Sequence, residues 1–207
     1  MIVSHRHRFI FFAIPKTGTH AVRFALRNHL GETDEEQVQL FVQSALSNPD
    51  IARMRHGHIR WNEIKAAVPE IWPYFKFAFV RNPWERFVSY TAFMHRQDGA
   101  FAVNPRAAMD RVLDDPVHHS KIVFRPQHEF ICDAAGQVMV DFVGRQETMQ
   151  ASYDAICAQI GLPTQALGRV NASTHGPWRD YYTEALKARV ARVYARDIEA
   201  FGYSFDA

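Results

Sequence analysis

The sequence predicts an α/β fold built on a mainly parallel sheet, and three observations carry that expectation. Residues 8–14 (RFIFFAI) and 74–80 (YFKFAFV) are aromatic and β-branched runs bounded by proline, as strands covered on both faces are. Each run passes straight into a helix-start signal. Further segments of helical period then fill the rest of the chain, and strands separated by helices make a layered α/β domain.

Taken in order, Val22, Ala25, Leu26 and His29 recur at helical spacing after the first strand, and Gly31 supplies a stop, so residues 18–30 read as a helix. Thr33 with Glu36 forms a capping box for a second helix carrying Val38, Phe41, Val42, Ala45 and Leu46 and halted near Pro49. After the second strand Asn82 is the N-cap and Pro83 the first helical residue, with Trp84, Phe87, Val88, Thr91 and Met94 along one side. Asn104-Pro105 repeats this start for a short helix. Residues 129–143 read as two strands around a glycine turn. Met149, Tyr153, Ile156 and Ile160 define a helix before Gly161, and Leu186, Val190, Val193, Tyr194 and Ile198 define one long last helix before Gly202.

The 207 residues show no Pro/Gly/Ser-rich linker and no compositional break, so residues 1–207 form one domain. Lys and Arg total 24 against 22 Asp and Glu, which implies no general polyanion coat and no nucleic-acid partner, although a local basic cleft fits inside such a total. With only Cys132 and Cys157, neither a disulfide framework nor a thiolate metal cluster is suggested, and a reducing cytoplasm is expected. The opening MIVSHRHRFIFFAIPK imitates a signal peptide, but its apolar run is short and Lys16 follows, so it reads as a strand. No stretch reaches the ~20 apolar residues of a membrane-spanning helix, so no membrane insertion is expected. The oligomeric state is left open.

The chemistry concentrates at the two strand-to-helix turns. A helix start presents unpaired N–H groups and the positive end of the helix dipole. In PKTGTH, Gly18 lets the backbone come close to an anion, Lys16 adds a mobile charge, and Thr17 and Thr19 add hydroxyls; a solvated loop with a capping threonine is the plainer alternative. Lys16 precedes Gly18 and no earlier glycine exists, so this is not a Walker A loop. At the second turn Arg81 ends a strand and Ser89 lies about two helical turns on, where one large anion would touch both. The alternative is that Arg81 pairs with Glu85 and Ser89 faces a neighbouring helix.

PKTGTH followed some 60 residues later by FVRNPWERFVSY resembles the PAPS-dependent sulfotransferase superfamily, in which the first motif binds the 5′-phosphosulfate and the second the 3′-phosphate of 3′-phosphoadenylyl sulfate (PAPS). The likeness is nearest the family-2 branch, which includes carbohydrate sulfotransferases, and extends through RHGHIRWNEI, VDFVGRQETM, VNAS and YYTEALKARVARVYARDIEAFGY. The resemblance implies a three-layer α/β/α fold of P-loop-NTPase type. It implies that Lys16, Thr17, Gly18, Thr19 and His20 hold the 5′-phosphosulfate, that Arg81 and Ser89 hold the 3′-phosphate, and that Arg145, Asn171 and Ser173 contribute further donor contacts. PAPS would be the donor and 3′,5′-phosphoadenosine (PAP) the product, with no metal required. Two positions depart from the pattern. His20 stands where many relatives have Thr or Ser, and Ala21 where cytosolic relatives place an aromatic residue, which leaves the adenine partner unassigned.

Sulfuryl transfer needs an in-line approach, relief of charge on the leaving phosphate, and removal of the acceptor proton. Lys16 answers the second need. For the third, His58 in RHGHIR is the expected base, where uronyl 2-O-sulfotransferases show a similar His-Gly-His; His56 is the other candidate, or positions the acceptor. Arg53, Arg55 and Arg60 flank the pair and either attract an acidic sugar or form a solvated face. A metal reading of His56/His58 or His118/His119 lacks further ligands. Asp141 imitates a Walker B acid, with strand-end hydrogen bonding as the simpler role. Trp61, Trp72, Trp84 and Trp178 are core candidates, with Trp61 or Trp178 able to stack on a sugar. The expected function is therefore sulfuryl transfer to a hydroxyl of a saccharide or glycoconjugate. A P-loop-like small-molecule kinase and a non-catalytic nucleotide-binding protein remain the competing classes.

Overall fold

The computed structural model describes residues 1–38, 46–54, 56–168 and 176–206. Strands β1 (Ile2–Ser4) and β2 (Phe9–Phe12) lead into α1 (Thr19–Arg27), β3 (Glu35–Glu36), α2 (Pro49–Ala52) and α3 (Trp61–Ala67). Then come β4 (Phe75–Val80), α4 (Pro83–Met94), α5 (Ala100–Val103), α6 (Pro105–Asp114), α7 (Pro116–His119) and α8 (His128–Ile131). The chain closes with β5 (Phe142–Arg145), α9 (Met149–Ile160), α10 (Glu184–Val193) and α11 (Ala195–Phe201).

The sheet runs β3-β1-β2-β4-β5. β2, β4 and β5 are parallel, with Phe11 opposite Phe77 and Phe77 opposite Phe142, whereas β1 is antiparallel to both β2 and β3. Because side chains alternate along a strand, Phe9 and Phe11 face one side and Ile10 and Phe12 the other. The first side packs with Phe77 and Phe79 under Val22, Ala25 and Leu26 of α1 and Tyr153, Ile156 and Cys157 of α9. The second is covered by Ile51, Ile59, Ile64, Phe130, Ile131 and Phe201. These are the three layers. Phe9, Phe11, Phe77 and Phe79 are fully buried, and burying each such ring contributes about 1.5–3 kcal/mol. A separate cluster joins α4, α6 and α10 through Phe87, Val88, Met109, Val112, Leu186 and Val190.

Several expectations are corrected. Residues 35–36 form strand β3, where the capping box pointed to a helix. The buried carboxylate of Glu36 instead accepts from Arg27 Nε at 2.8 Å and lies 2.8 Å from Arg23 Nε, so two arginines of α1 hold it in the sheet. Phe41, Val42 and Ala45 lie outside the described residues. Pro49 starts a helix, with the Asn48 side chain accepting from Asp50 N and Ile51 N. The stretch 129–143 holds one helical turn, α8, a single bridge between Cys132 and Val138, and only then β5. The last helix is two, parted at Tyr194, whose hydroxyl donates to Phe124 O at 2.9 Å. Asp141 stands just before β5, at the amino end of the strand, where it accepts from Lys76 N at 2.7 Å. That end is the wrong one for a Walker B acid.

Candidate active site

The carboxyl ends of β2, β4 and β5 lie side by side, the edge at which open parallel sheets take ligands. The three turns that leave this edge touch. Arg81 Nη1 donates to Lys16 O at 3.4 Å, Asn82 N donates to Glu147 Oε1 at 2.5 Å, and a Cβ on Gly18 would fall 2.1 Å from Met149 Cε. The residues of PKTGTH and Arg81 are therefore brought to one place.

The loop after β2 is held in an unusual shape. Lys16 has φ 65° and Gly18 φ 78°, both left-handed, a conformation costing a residue with a Cβ about 1–2 kcal/mol. Two clamps hold it: Thr17 Oγ1 donates to Ile14 O at 3.0 Å, and Arg86 Nε donates to Pro15 O at 2.9 Å. The Thr17 hydroxyl proton is thus committed to the loop. Arg86 is fully buried and also donates to Val123 O and Arg125 O, so it ties the loop to α4 and the 120–125 segment through carbonyls alone. Gly18 is the N-cap of α1 and no side chain caps that end, which leaves the first-turn N–H groups facing the loop's concavity. Thr19 is buried and His20 exposed.

The electrostatics are one-sided. Burial first, and then Arg81, Arg86 and Arg96 in that order, push the Lys16 ammonium down to about 8. Lys16 Nζ makes no ion pair among the described residues; it lies 4.4 Å above the Phe93 ring, over which Arg96 also sits at 4.6 Å. Lys16, Arg81 and Arg96, with the fully buried Arg86 behind them, concentrate positive charge beside the Phe93 ring. The Arg81 guanidinium pairs with Glu85 at 2.8 Å, the partner foreseen as the alternative, while its Nε is buried with no hydrogen-bond partner. Ser89 is 3% exposed within α4.

His58 enters from the segment before α3. Its Nδ1 is 2.6 Å from Ala13 O, and because a carbonyl only accepts, Nδ1 carries the proton and Nε2 the lone pair. Burial pushes the ring down to about 3, so it is neutral at physiological pH. His20 is close enough to add to that lowering, and Lys16 in turn lowers His20. His56 has the Glu63 carboxylate, the N-terminal ammonium and Arg125 as charge neighbours, is itself near enough to lower His58, and has its Nδ1 buried without a partner. Gly57 between them is fixed by packing, since a Cβ there would lie 2.0 Å from Gln37 O. Arg53 and Arg60 are matched by Asp50 and Glu63 at 2.8 Å each, and Arg55 lies outside the described residues.

Other expected positions fall differently. Arg145 donates to Phe201 O and lies 4.7 Å from the Tyr203 ring, which ties it to the end of α11. Asn171 and Ser173 lie outside the described residues. Trp84 is core; Trp61 Nε1 donates to Cys132 O, and Trp178 packs edge-on against Phe205. Sequence reasoning missed Arg86, Arg96 and Phe93. A charge at position 86 inside the buried stripe of α4 was the available signal for the first. A hollow of about 210 Å³ lined by Arg60, Trp61, His128, Glu129 and Arg196, among others, contains no residue of the 16–20 loop, so the convergence of cations defines the candidate site.

The model of the sulfotransferase family, second branch, matches residues 1–204. The chain belongs to the sulfotransferase family. No curated protein and no solved structure matches it. As a family-2 sulfotransferase it is a PAPS-dependent enzyme that transfers sulfuryl groups to hydroxyl-bearing acceptors. That membership favours transfer over the kinase and non-catalytic classes, and Lys16, Arg81 with a buried unpartnered Nε–H, Arg96 and an uncapped helix start are chemically compatible with a molecule carrying several anionic groups.

Proposed function

We propose that this sulfotransferase acts on a saccharide or glycoconjugate hydroxyl, with Lys16 and His58 as its catalytic side chains. The observation that supports the reading best is the meeting at one sheet edge of a lysine among arginines and a neutral histidine whose Nε2 lone pair is set by the Ala13 carbonyl. The 16–20 loop and the start of α1 would hold the 5′-phosphosulfate, and Arg81 with Ser89 the 3′-phosphate. When bound, the donor supplies the sulfuryl group and a leaving phosphate.

Lys16 is a charge positioned for the leaving side, where negative charge grows as the transfer proceeds; such an interaction strengthens toward the transition state. His58 Nε2 would take the proton of the acceptor hydroxyl, the ring being neutral with its lone pair on that nitrogen. Arg81 Nε is free to meet a phosphate, and Nη2 would have to release Glu85 to add a second bond. Two residues beyond His58 the chain enters the 210 Å³ hollow, whose lining joins Trp61 to Arg60, His128 and Glu129, a mixture of aromatic and hydrogen-bonding groups that suits a sugar.

Calorimetry with PAP and with ADP, without magnesium, followed by sulfuryl transfer from PAPS to a saccharide panel, tests the reading. Tight PAP binding and transfer that raises the acceptor KM on Trp61→Ala is expected. Equal affinity for both nucleotides, or transfer only to non-saccharide hydroxyls, would overturn it.

A further inference from the structure

Arg81 grips a phosphate well only if its own backbone is fixed, and the group that fixes it comes from 46 residues away. We propose that Gln127 is a positioning residue for the 3′-phosphate site, acting through Arg81 and anchored by Asp197; the proposal rests on Arg81 as the 3′-phosphate ligand.

Gln127 is fully buried, and its amide makes both hydrogen bonds available on the Arg81 main chain: Oε1 accepts from Arg81 N at 2.9 Å and Nε2 donates to Arg81 O at 2.9 Å. A neighbouring strand makes the same pair of bonds to a residue of an antiparallel ladder. The side chain therefore acts as one rung of sheet, placed just where β4 ends. Its orientation is decided by chemistry, because Arg81 O and the Asp197 carboxylate both only accept and both face Nε2, the latter at 3.4 Å. Asp197, on α11 and fully buried, also accepts from Gln127 N at 2.8 Å, while its other oxygen accepts from His128 N at 2.8 Å and His128 Nδ1 at 2.7 Å. A carboxylate so saturated is a rigid anchor. From the other side Glu147 holds Asn82 N, so the turn after β4 is clamped at successive residues. A small shift of a ligand-holding group is enough to lose much of its effect.

The experiment measures the PAP and 5′-AMP dissociation constants by calorimetry for wild type, Arg81→Ala, Gln127→Met and the double variant, with thermal melts to verify folding. The preference for PAP over AMP isolates the 3′-phosphate. Arg81→Ala is expected to lower it about tenfold or more, as loss of a charge-assisted contact does. Gln127→Met is expected to lower it at least about fivefold while AMP affinity stays within about twofold, and to add nothing in the Arg81→Ala background. Preserved preference in Gln127→Met, equal loss toward both nucleotides, or additive loss in the double variant overturns the proposal and leaves Arg81 in its role. Unchanged preference in Arg81→Ala overturns that role and the proposal with it. Should Gln127→Met not fold, Gln127→Asn decides: it keeps the amide but is one methylene too short to span both Arg81 N and Arg81 O, and is expected to lose preference too, full preference being the overturning result.

Discussion

Replacing Gly57 by alanine tests whether the His-Gly-His segment owes its glycine to packing. An ideal Cβ would lie 2.0 Å from Gln37 O and 2.9 Å from Gln37 C, against an ordinary contact of 3.4 Å or more, so main chain must part from main chain by more than an ångström. Neither side can yield by a rotamer change. Parting them strains the bonds that Gln37 Nε2 donates to His56 O at 3.2 Å and to Ile51 O at 2.8 Å. Two buried hydrogen bonds at about 1 kcal/mol each, with about 1–3 kcal/mol for overpacking, total roughly 3–5 kcal/mol. At about 2–4 °C per kcal/mol for a chain of this size, Tm falls by roughly 6–20 °C. The segment also carries His58 away from the Ala13 carbonyl, so kcat, measured well below the variant's Tm with saturating PAPS, is expected to fall about tenfold or more. A variant that melts and turns over like the wild type would refute both the packing account and the tie between this glycine and His58.

Lys16→Ala is expected to lower kcat by about two orders of magnitude with a smaller change in KM, measured by steady-state transfer, because its charge acts mainly as the leaving phosphate departs. Gly18→Ala is expected to lose about 1–2 kcal/mol from its left-handed φ alone and to weaken PAP binding, as read by melting and calorimetry; unchanged PAP affinity would remove the close-approach argument. His58 makes acid stability diagnostic. Its folded pKa of about 3 lies below its ordinary 6.5, so the unfolded chain binds the extra proton between those values and stability falls as pH drops from about 6.5 toward 3, by at most about 1.4 kcal/mol per pH unit from this group. His58→Asn should flatten that part of an acid-denaturation curve, and an unaltered slope would contradict the burial of a neutral ring.

The strands and turns that build the site were legible because local pattern and tertiary demand agree there: Phe9–Phe12 and Phe75–Val80 alternate into two cores, and Asn82-Pro83 caps α4 as its residue types dictate, with Asn82 Oδ1 accepting from Trp84 N at 3.1 Å. Legibility failed where distant partners outbid local ones. Thr33 and Glu36 carry a cap signature, yet two arginines of α1 take the Glu36 carboxylate into the sheet. His128–Ile131 has strand-like composition, yet Asp197 meets the first N–H groups of a helical turn there. Within the site, Lys16, Gly18 and Arg81 stood out by motif. Arg86 and Gln127 did not, because both work on main-chain groups far away in sequence and no spacing records such a pairing.

The two cations that would meet the donor start from unlike resting places. The Lys16 ammonium rests on the π-face of Phe93, a perch it can leave by turning a few side-chain bonds, whereas Arg81 already gives its Nη2 to the carboxylate of Glu85. A phosphate arriving at the arginine would share it with that carboxylate, so Glu85 would act as an internal rival that weakens holding. For an enzyme that has to shed its spent nucleotide every cycle, such built-in rivalry at one end of the ligand favours release.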